Sequence, residues 1–155
     1  MTPRIQIMLD SRQIEESTAA EGEVEGLWRK AVQTRASSTV DGLDPNSRFT
    51  LTYQAALQAA AAVVRAAGFR ARGEAHHHDT FAAVAALELG EASDAARELN
   101  VIRRRRHGAI YDWETQLEEQ HVVEIRTVAD RLFVHAEPWL RTRYPNLAPL
   151  PPDQA

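Results

Sequence analysis

The stretch that decides the fold is residues 44–68, DPNSRFTLTYQAALQAAAAVVRAAG. Asp44 ahead of Pro45 supplies a helix N-cap and a proline at the first helical position, where its missing N–H costs nothing. Nothing breaks the helical pattern until Gly68, a C-terminal cap that takes left-handed backbone without strain. Alanine at positions 55, 56, 59, 60, 61 and 62 leaves little side-chain bulk, so neighbouring backbones can come close on more than one side. This helix is expected at the middle of a bundle.

Before it, roughly Ser11 to Ala36 reads as a helix, less regular ahead of Glu23. Glu15, Glu16, Glu21, Glu23 and Glu25 come early and Arg29, Lys30 and Arg35 late, the order that the helix dipole favours. These early glutamates are expected on a solvated face. Val24, Leu27, Trp28, Ala31 and Val32 form the apolar stripe, weakened in its first half by Gly22 and Gly26. Residues 36–43 then read as a linker.

After Gly68, residues 69–79, FRARGEAHHHD, read as a loop, with Asp79 as N-cap of a short helix that stops at Gly90. Ser93 opens the next segment, DAARELNVIRRRRHGAIYD. A last helix starts at residues 115–118, TQLE, where Thr115 and Glu118 fit a capping box. Leu117, Val122, Ile125, Val128, Leu132, Ala136 and Trp139 then recur at helical spacing, and Pro138 is expected to kink or end the run. From Pro145 the proline-rich PNLAPLPPDQA is expected to be disordered or extended. The predicted organisation is an N-terminal helix and linker over 1–44, a helical core over 45–144 and a tail over 145–155. The fold class is all-α, an up-and-down antiparallel bundle of about five helices, with no competing β-alternation.

Composition narrows the function classes. A chain of 155 residues suits one domain with a sizeable core. It has no cysteine, which removes disulfides, thiolate metal sites and cysteine nucleophiles. No stretch approaches the roughly 18 apolar residues of a membrane span, and the first residues lack an apolar run with a small-residue cleavage site. A soluble cytoplasmic protein, with no membrane partner, is the expectation. The net charge is −4, so any nucleic-acid role must come from a local basic patch.

That patch is Arg103, Arg104, Arg105 and Arg106. At about 100° per residue the four point in four directions and cannot share one solvated face. Leu99, Ile102 and Ala109 define the packing stripe, and Arg106 interrupts it. Arg103, His107 and Tyr111, spaced by four, stack beside that stripe. A guanidinium at the edge of a core is costly to desolvate unless it meets a carboxylate or a phosphate. Two arrangements follow. Either Arg106 pairs with an internal acid such as Glu118 or Glu124 and the others are solvated, or the arginines line a phosphate-binding cleft, formed where two bundles meet.

The order NSRFTLTYQAALQAAAAVVRAAGFRARGEAHHHDTF, then ELNVIRRRRHGAIYD, then a long final helix resembles the HEPN superfamily, the higher eukaryote and prokaryote nucleotide-binding domain, over residues 45 to 143. The resemblance implies a helical bundle, commonly a homodimer, associated with toxin and antitoxin pairs, phage defence or RNA cleavage. Active members build a metal-independent endoribonuclease site from an Arg, a polar residue after it, and a His four to six residues on. Carried onto this chain, Arg106 is the motif arginine, His107 the polar residue, and the motif histidine falls on Tyr111. That departure leaves two outcomes: a degenerate site that only binds, or a rewired one in which His107 works with Arg103 and Arg106. A phenol with a pKa near 10 is a poor base at neutral pH, whereas a histidine among arginines is kept neutral, as a base requires. The candidate catalytic residues are therefore Arg106, His107 and Tyr111. Arg103, Arg104, His77 and His78 are the candidate phosphate contacts, the resemblance placing the histidine loop at the same cleft.

No metal or other cofactor is expected. Three consecutive histidines, His76 to His78, cannot all turn their rings to one ion, and helical His pairs are spaced by three or four. His121 and His135 read as structural histidines, the first exposed, and Trp113 reads as closing the bundle, with base stacking as its other use. The leading function is binding of RNA or nucleotide phosphate, with or without cleavage and with a cognate antitoxin as partner. The alternative is a non-catalytic homodimeric module whose arginines meet an acidic protein partner.

Overall fold

The computed structural model describes residues 1–72, 76–106, 108 and 112–152. Among them are six helices: α1 (Pro3–Asp10), α2 (Glu23–Ser37), α3 (Pro45–Ala66), α4 (His76–Ala86), α5 (Glu91–Arg106) and α6 (Glu119–Arg143). The molecule is a mainly α-helical bundle with one short ribbon, β1 (Ile14–Glu16) paired antiparallel with β2 (Phe69–Ala71), Glu15 opposite Arg70.

Helix α3 forms where its caps predict. The Asp44 carboxylate accepts the Ser47 N–H at 3.1 Å, Pro45 occupies the first turn, and Gly68 beyond its end has φ +92°. Ala55, Ala56, Ala59, Ala60 and Ala62 are fully buried, and α3 packs against α2, α4, α6 and β2. The central place expected of it follows from that absence of bulk. Around it, Trp28 of α2 and Phe133 of α6 meet with ring centroids 5.3 Å apart, and Phe81, Leu99, Ile125, Leu132 and Leu140 complete the core.

Ion pairs and side-chain bonds set the helix directions. Arg65 reaches back to Glu23, so α2 and α3 are antiparallel. Arg48 pairs with Glu119 and Thr52 lies against Arg126, so α3 and α6 run together. Arg105 with Glu124 and Arg131 with Glu98 make α5 antiparallel to α6. Ser93 to Val84 and Asn100 to His78 make α4 antiparallel to α5. Tyr53 of α3 lies against His77 and Phe81 of α4. One end of the bundle therefore gathers the starts of α3, α4 and α6 with the end of α5, where the arginines stand.

Several local expectations change. Helix α1 was not foreseen: the Thr2 hydroxyl accepts the Ile5 N–H at 3.2 Å and donates to the Ala86 carbonyl at 2.6 Å, and Ile5 and Met8 enter the common core. The N-terminal segment thus shares one core with the rest. The first glutamates do not form a uniform solvated face, because Glu23 binds Arg65 and Glu15 and Glu16 lie in β1. The α6 capping box is moved by three residues: the Glu118 side chain takes the His121 N–H, and His121 Nδ1 accepts the Glu118 N–H at 2.9 Å. Thr115 instead donates to Asp112. Helix α6 continues through Pro138 to Arg143, leaving the Val134 carbonyl without its intrahelical donor. Residues 145–146 form a turn, and the segment after it is docked: Leu147 is buried and Trp28 Nε1 donates to the Ala148 carbonyl at 3.0 Å.

Candidate phosphate-binding site

Helix α5 begins with Glu91 and Asp94 and ends with its four arginines, so acidic and basic side chains each complement the nearby dipole end. Arg103 is half-buried, Arg104 and Arg105 are exposed, and Arg106 is half-buried. Their partners differ sharply. Arg105 pairs with Glu124 at 3.3 Å. Arg103 reaches only Asn100 Oδ1, at 3.5 Å, and among the described residues Arg103, Arg104 and Arg106 have no carboxylate partner. Elsewhere arginines 35, 48, 65, 72, 97, 131 and 141 are each paired with an acid.

Arg106 is not neutralised by either acid that the sequence offered. Glu118 caps α6 and Glu124 serves Arg105, while Arg106 Nε is buried with no acceptor among the described residues. A buried guanidinium N–H without an acceptor forfeits the desolvation energy of that donor, of the order of 1–3 kcal/mol. Such a group marks a place where an acceptor belongs. His107 and Tyr111, the other two candidate catalytic residues, lie outside the described residues, as does Ala109.

The histidines are not in a loop. His76, His77 and His78 form the first turn of α4, and the antiparallel pairing of α4 with α5 carries them to the arginine end. Asn100 on α5 donates from Nδ2 to the His78 carbonyl at 3.1 Å. The His77 ring packs on Tyr53 of α3, its Nδ1 3.4 Å from the Tyr53 hydroxyl. Burial first, then the charges of His76 and Arg103, push the His77 pKa below the ordinary imidazole value. His77 is consequently neutral at pH 7 and offers a ligand a hydrogen bond rather than a charge. His77 and Arg103 thus stand together, held by Tyr53 and Asn100, whose contacts to α4 come from other helices and have no local sign in the sequence.

Asp79, expected as an N-cap, instead lies inside the first turns of α4 with its carboxylate buried. Its Oδ1 receives Gln13 Nε2 at 3.0 Å and faces His78 Nδ1 at 3.1 Å. Among the described residues no group of three or more His, Cys, Asp or Glu side chains is placed to hold a metal ion. Trp113 is 87 % exposed, so it does not close the bundle, and His135, read as a structural histidine beside the apolar stripe, is exposed. A cavity of about 410 Å³ lies at the same end, between the α2–α3 loop and the start of α6, lined by Leu43, Arg48, Glu119, Val122 and Arg126 among others. Its cations are engaged, Arg48 by Glu119 and Arg126 by Ser38 and Thr52.

Among the described residues no helix is long and apolar enough to cross a membrane. Comparison of the chain with protein-family models, with curated proteins and with solved structures returns no match.

Proposed function

We infer that the arginine end of the bundle binds RNA through its phosphates. The observation that carries this reading is the cluster itself: among the described residues Arg103, Arg104 and Arg106 stand together at one helix end without a carboxylate, and Arg106 Nε is buried with no acceptor. Clustered guanidinium groups of this kind suit phosphate, whose oxygens accept the planar fork and whose charge offsets theirs. Neutral His77 adds a donor beside them, and the exposed indole of Trp113, seven residues after Arg106, is a platform for an unstacked base. Single-stranded RNA fits this combination better than a duplex.

The HEPN resemblance points the same way, and on that reading the chain acts in the cytoplasm as a homodimer, with a cognate antitoxin as its protein partner. Binding of a fluorescein-labelled single-stranded RNA, followed by anisotropy at 50 and 200 mM salt, tests the inference. Binding that weakens as salt rises, and that Arg103→Ala with Arg104→Ala abolishes, supports it. No binding at 50 mM salt by a folded protein refutes it and leaves the reading in which the arginines meet an acidic protein partner.

A further inference from the structure

The RNA-binding reading leaves the cavity between the α2–α3 loop and the start of α6 without a use. It measures about 410 Å³, within the range of clefts that hold small molecules. Its walls are fixed from both ends of the loop. Ser38, fully buried, donates from its hydroxyl to the Arg35 carbonyl at 2.6 Å and accepts Arg126 Nη2 at 2.8 Å. At the far end Arg48 Nε donates to the Leu43 carbonyl at 3.1 Å, and Gly42, with φ +89°, supplies the left-handed backbone of the turn between them. The space is therefore already shaped in the free chain, and a ligand need not order the loop before it binds.

Two kinds of surface meet there. Val122 is buried and Leu43 half-buried, while Val40 and Val123 are each 57 % exposed. Among the described residues six large apolar side chains are exposed, and two of them line this one opening. An apolar group seated on them removes from water a surface that the chain itself leaves uncovered. The second surface is cationic. Arg126 is half-buried, and its Nη2 donates to the Ser38 carbonyl, the Ser38 hydroxyl and the Thr52 hydroxyl at 3.3, 2.8 and 3.4 Å. These oxygens are neutral: they orient the guanidinium and leave its charge in place. Two carboxylates line the cavity as well. Glu119 is 64 % exposed and taken by Arg48, and Asp41 is exposed, so water screens both more strongly than it screens Arg126. The field inside the cavity favours an anion.

We propose that this cavity binds a small carboxylic acid with a short aliphatic body, its carboxylate on the Arg126 guanidinium and its body over Val40, Leu43, Val122 and Val123. A carboxylate presents two coplanar oxygens to the planar guanidinium, and the bonds between them are charge-assisted. A few polar groups fix the head and a larger apolar surface takes the rest, the usual make-up of a small-molecule site. Such a ligand touches the α2–α3 loop and α6 at once and ties them together. The site is separate from the arginines at the end of α5: it uses neither Arg103 nor Arg104, and it stands or falls without RNA.

Titration of the full chain with hexanoate, hexylamine and hexanol, followed by its methyl and amide NMR resonances, tests this, since the three probes share one body and differ in the head. Hexanoate is expected to saturate with millimolar affinity and to shift residues 38–43 and 119–126 most, with hexylamine and hexanol at least about tenfold weaker. Arg126 also ties Ser38 to Thr52, so its removal threatens the fold, and the variant of choice is Val123→Glu, at an exposed position of α6. It is expected to keep its helicity and to bind hexanoate at least about tenfold more weakly, because the opening loses an apolar contact and gains a like charge. Absence of saturable shifts with hexanoate overturns the proposal. Equal affinities for hexanoate and hexylamine, an unchanged hexanoate affinity in Val123→Glu, or shifts centred away from the cavity overturn it as well, and none of these results touches the RNA-binding reading.

Discussion

Arg65 offers the most demanding test of how the fold is held, because one side chain joins four segments. It is 7 % exposed. Its Nε donates to Glu23 Oε2 at 2.7 Å, Nη1 to the carbonyls of Phe69 and Ser17 at 2.9 and 3.1 Å, and Nη2 to Thr18 carbonyl and Glu23 Oε1 at 3.2 and 3.3 Å. The start of α2, the segment before it, the end of α3 and β2 are thus tied at one guanidinium. Glu23→Gln removes the charge that compensates it and keeps the shape. The Arg65 hydrogen bonds, then the Ala20 N–H, hold the Glu23 carboxyl down at about 2 against a usual 4.5. That shift corresponds to an upper limit of roughly 3 kcal/mol, and because the Glu23 side chain is 27 % exposed, solvent screening brings the expected loss to about 2 kcal/mol. The sign follows from a depressed folded pKa: the contribution is fully present above the unfolded value of 4.5 and disappears as pH falls through 2. Urea unfolding of both proteins at pH 7 and pH 3 is the assay. The stability gap is expected to shrink to less than half between the two. A gap under about 0.5 kcal/mol at pH 7, or one unchanged at pH 3, refutes the reasoning.

Three further outcomes are expected. Trp28→Ala, which opens the contact with Phe133 and frees the Ala148 carbonyl, destabilises by about 3–5 kcal/mol in the same assay. Leu147→Ala costs about 2 kcal/mol because the tail is docked on the core, whereas a detached tail predicts no change. Arg104→Ala, at an exposed and unpaired arginine, leaves the unfolding midpoint in place but weakens RNA binding and lowers the salt slope by about one unit.

How much of this was legible beforehand depends on whether the cause is local. Helix α3 could be read because Asp44, Pro45, the alanine run and Gly68 are all within one element. The anomaly of the arginine run could be read for the same reason: four consecutive cations cannot share one face of any helix. The directions of the Arg106 and Arg105 side chains could not, since Glu124 belongs to another helix and chooses Arg105. Helix α1 is eight residues long and is held by the Thr2 hydroxyl on the distant Ala86 carbonyl. Each strand of the ribbon has three residues, too short for alternation to register. The buried Asp79 looked like a cap because caps are recognised by neighbours in sequence, and its real partner, Gln13, is 66 positions away. Residue type alone leaves Trp113 two uses, closing the bundle or stacking on a base, and its exposure rules out the first.

The measurement closest to the central claim is the affinity of the unaltered chain and of the Arg103→Ala, Arg104→Ala double variant for one labelled single-stranded RNA across a salt series, with circular dichroism as the check on folding. The account predicts a linear fall of log affinity with log salt for the unaltered chain, and binding lost in a variant that keeps its helicity. Equal, salt-insensitive binding by both, or none by either at 50 mM salt, contradicts it.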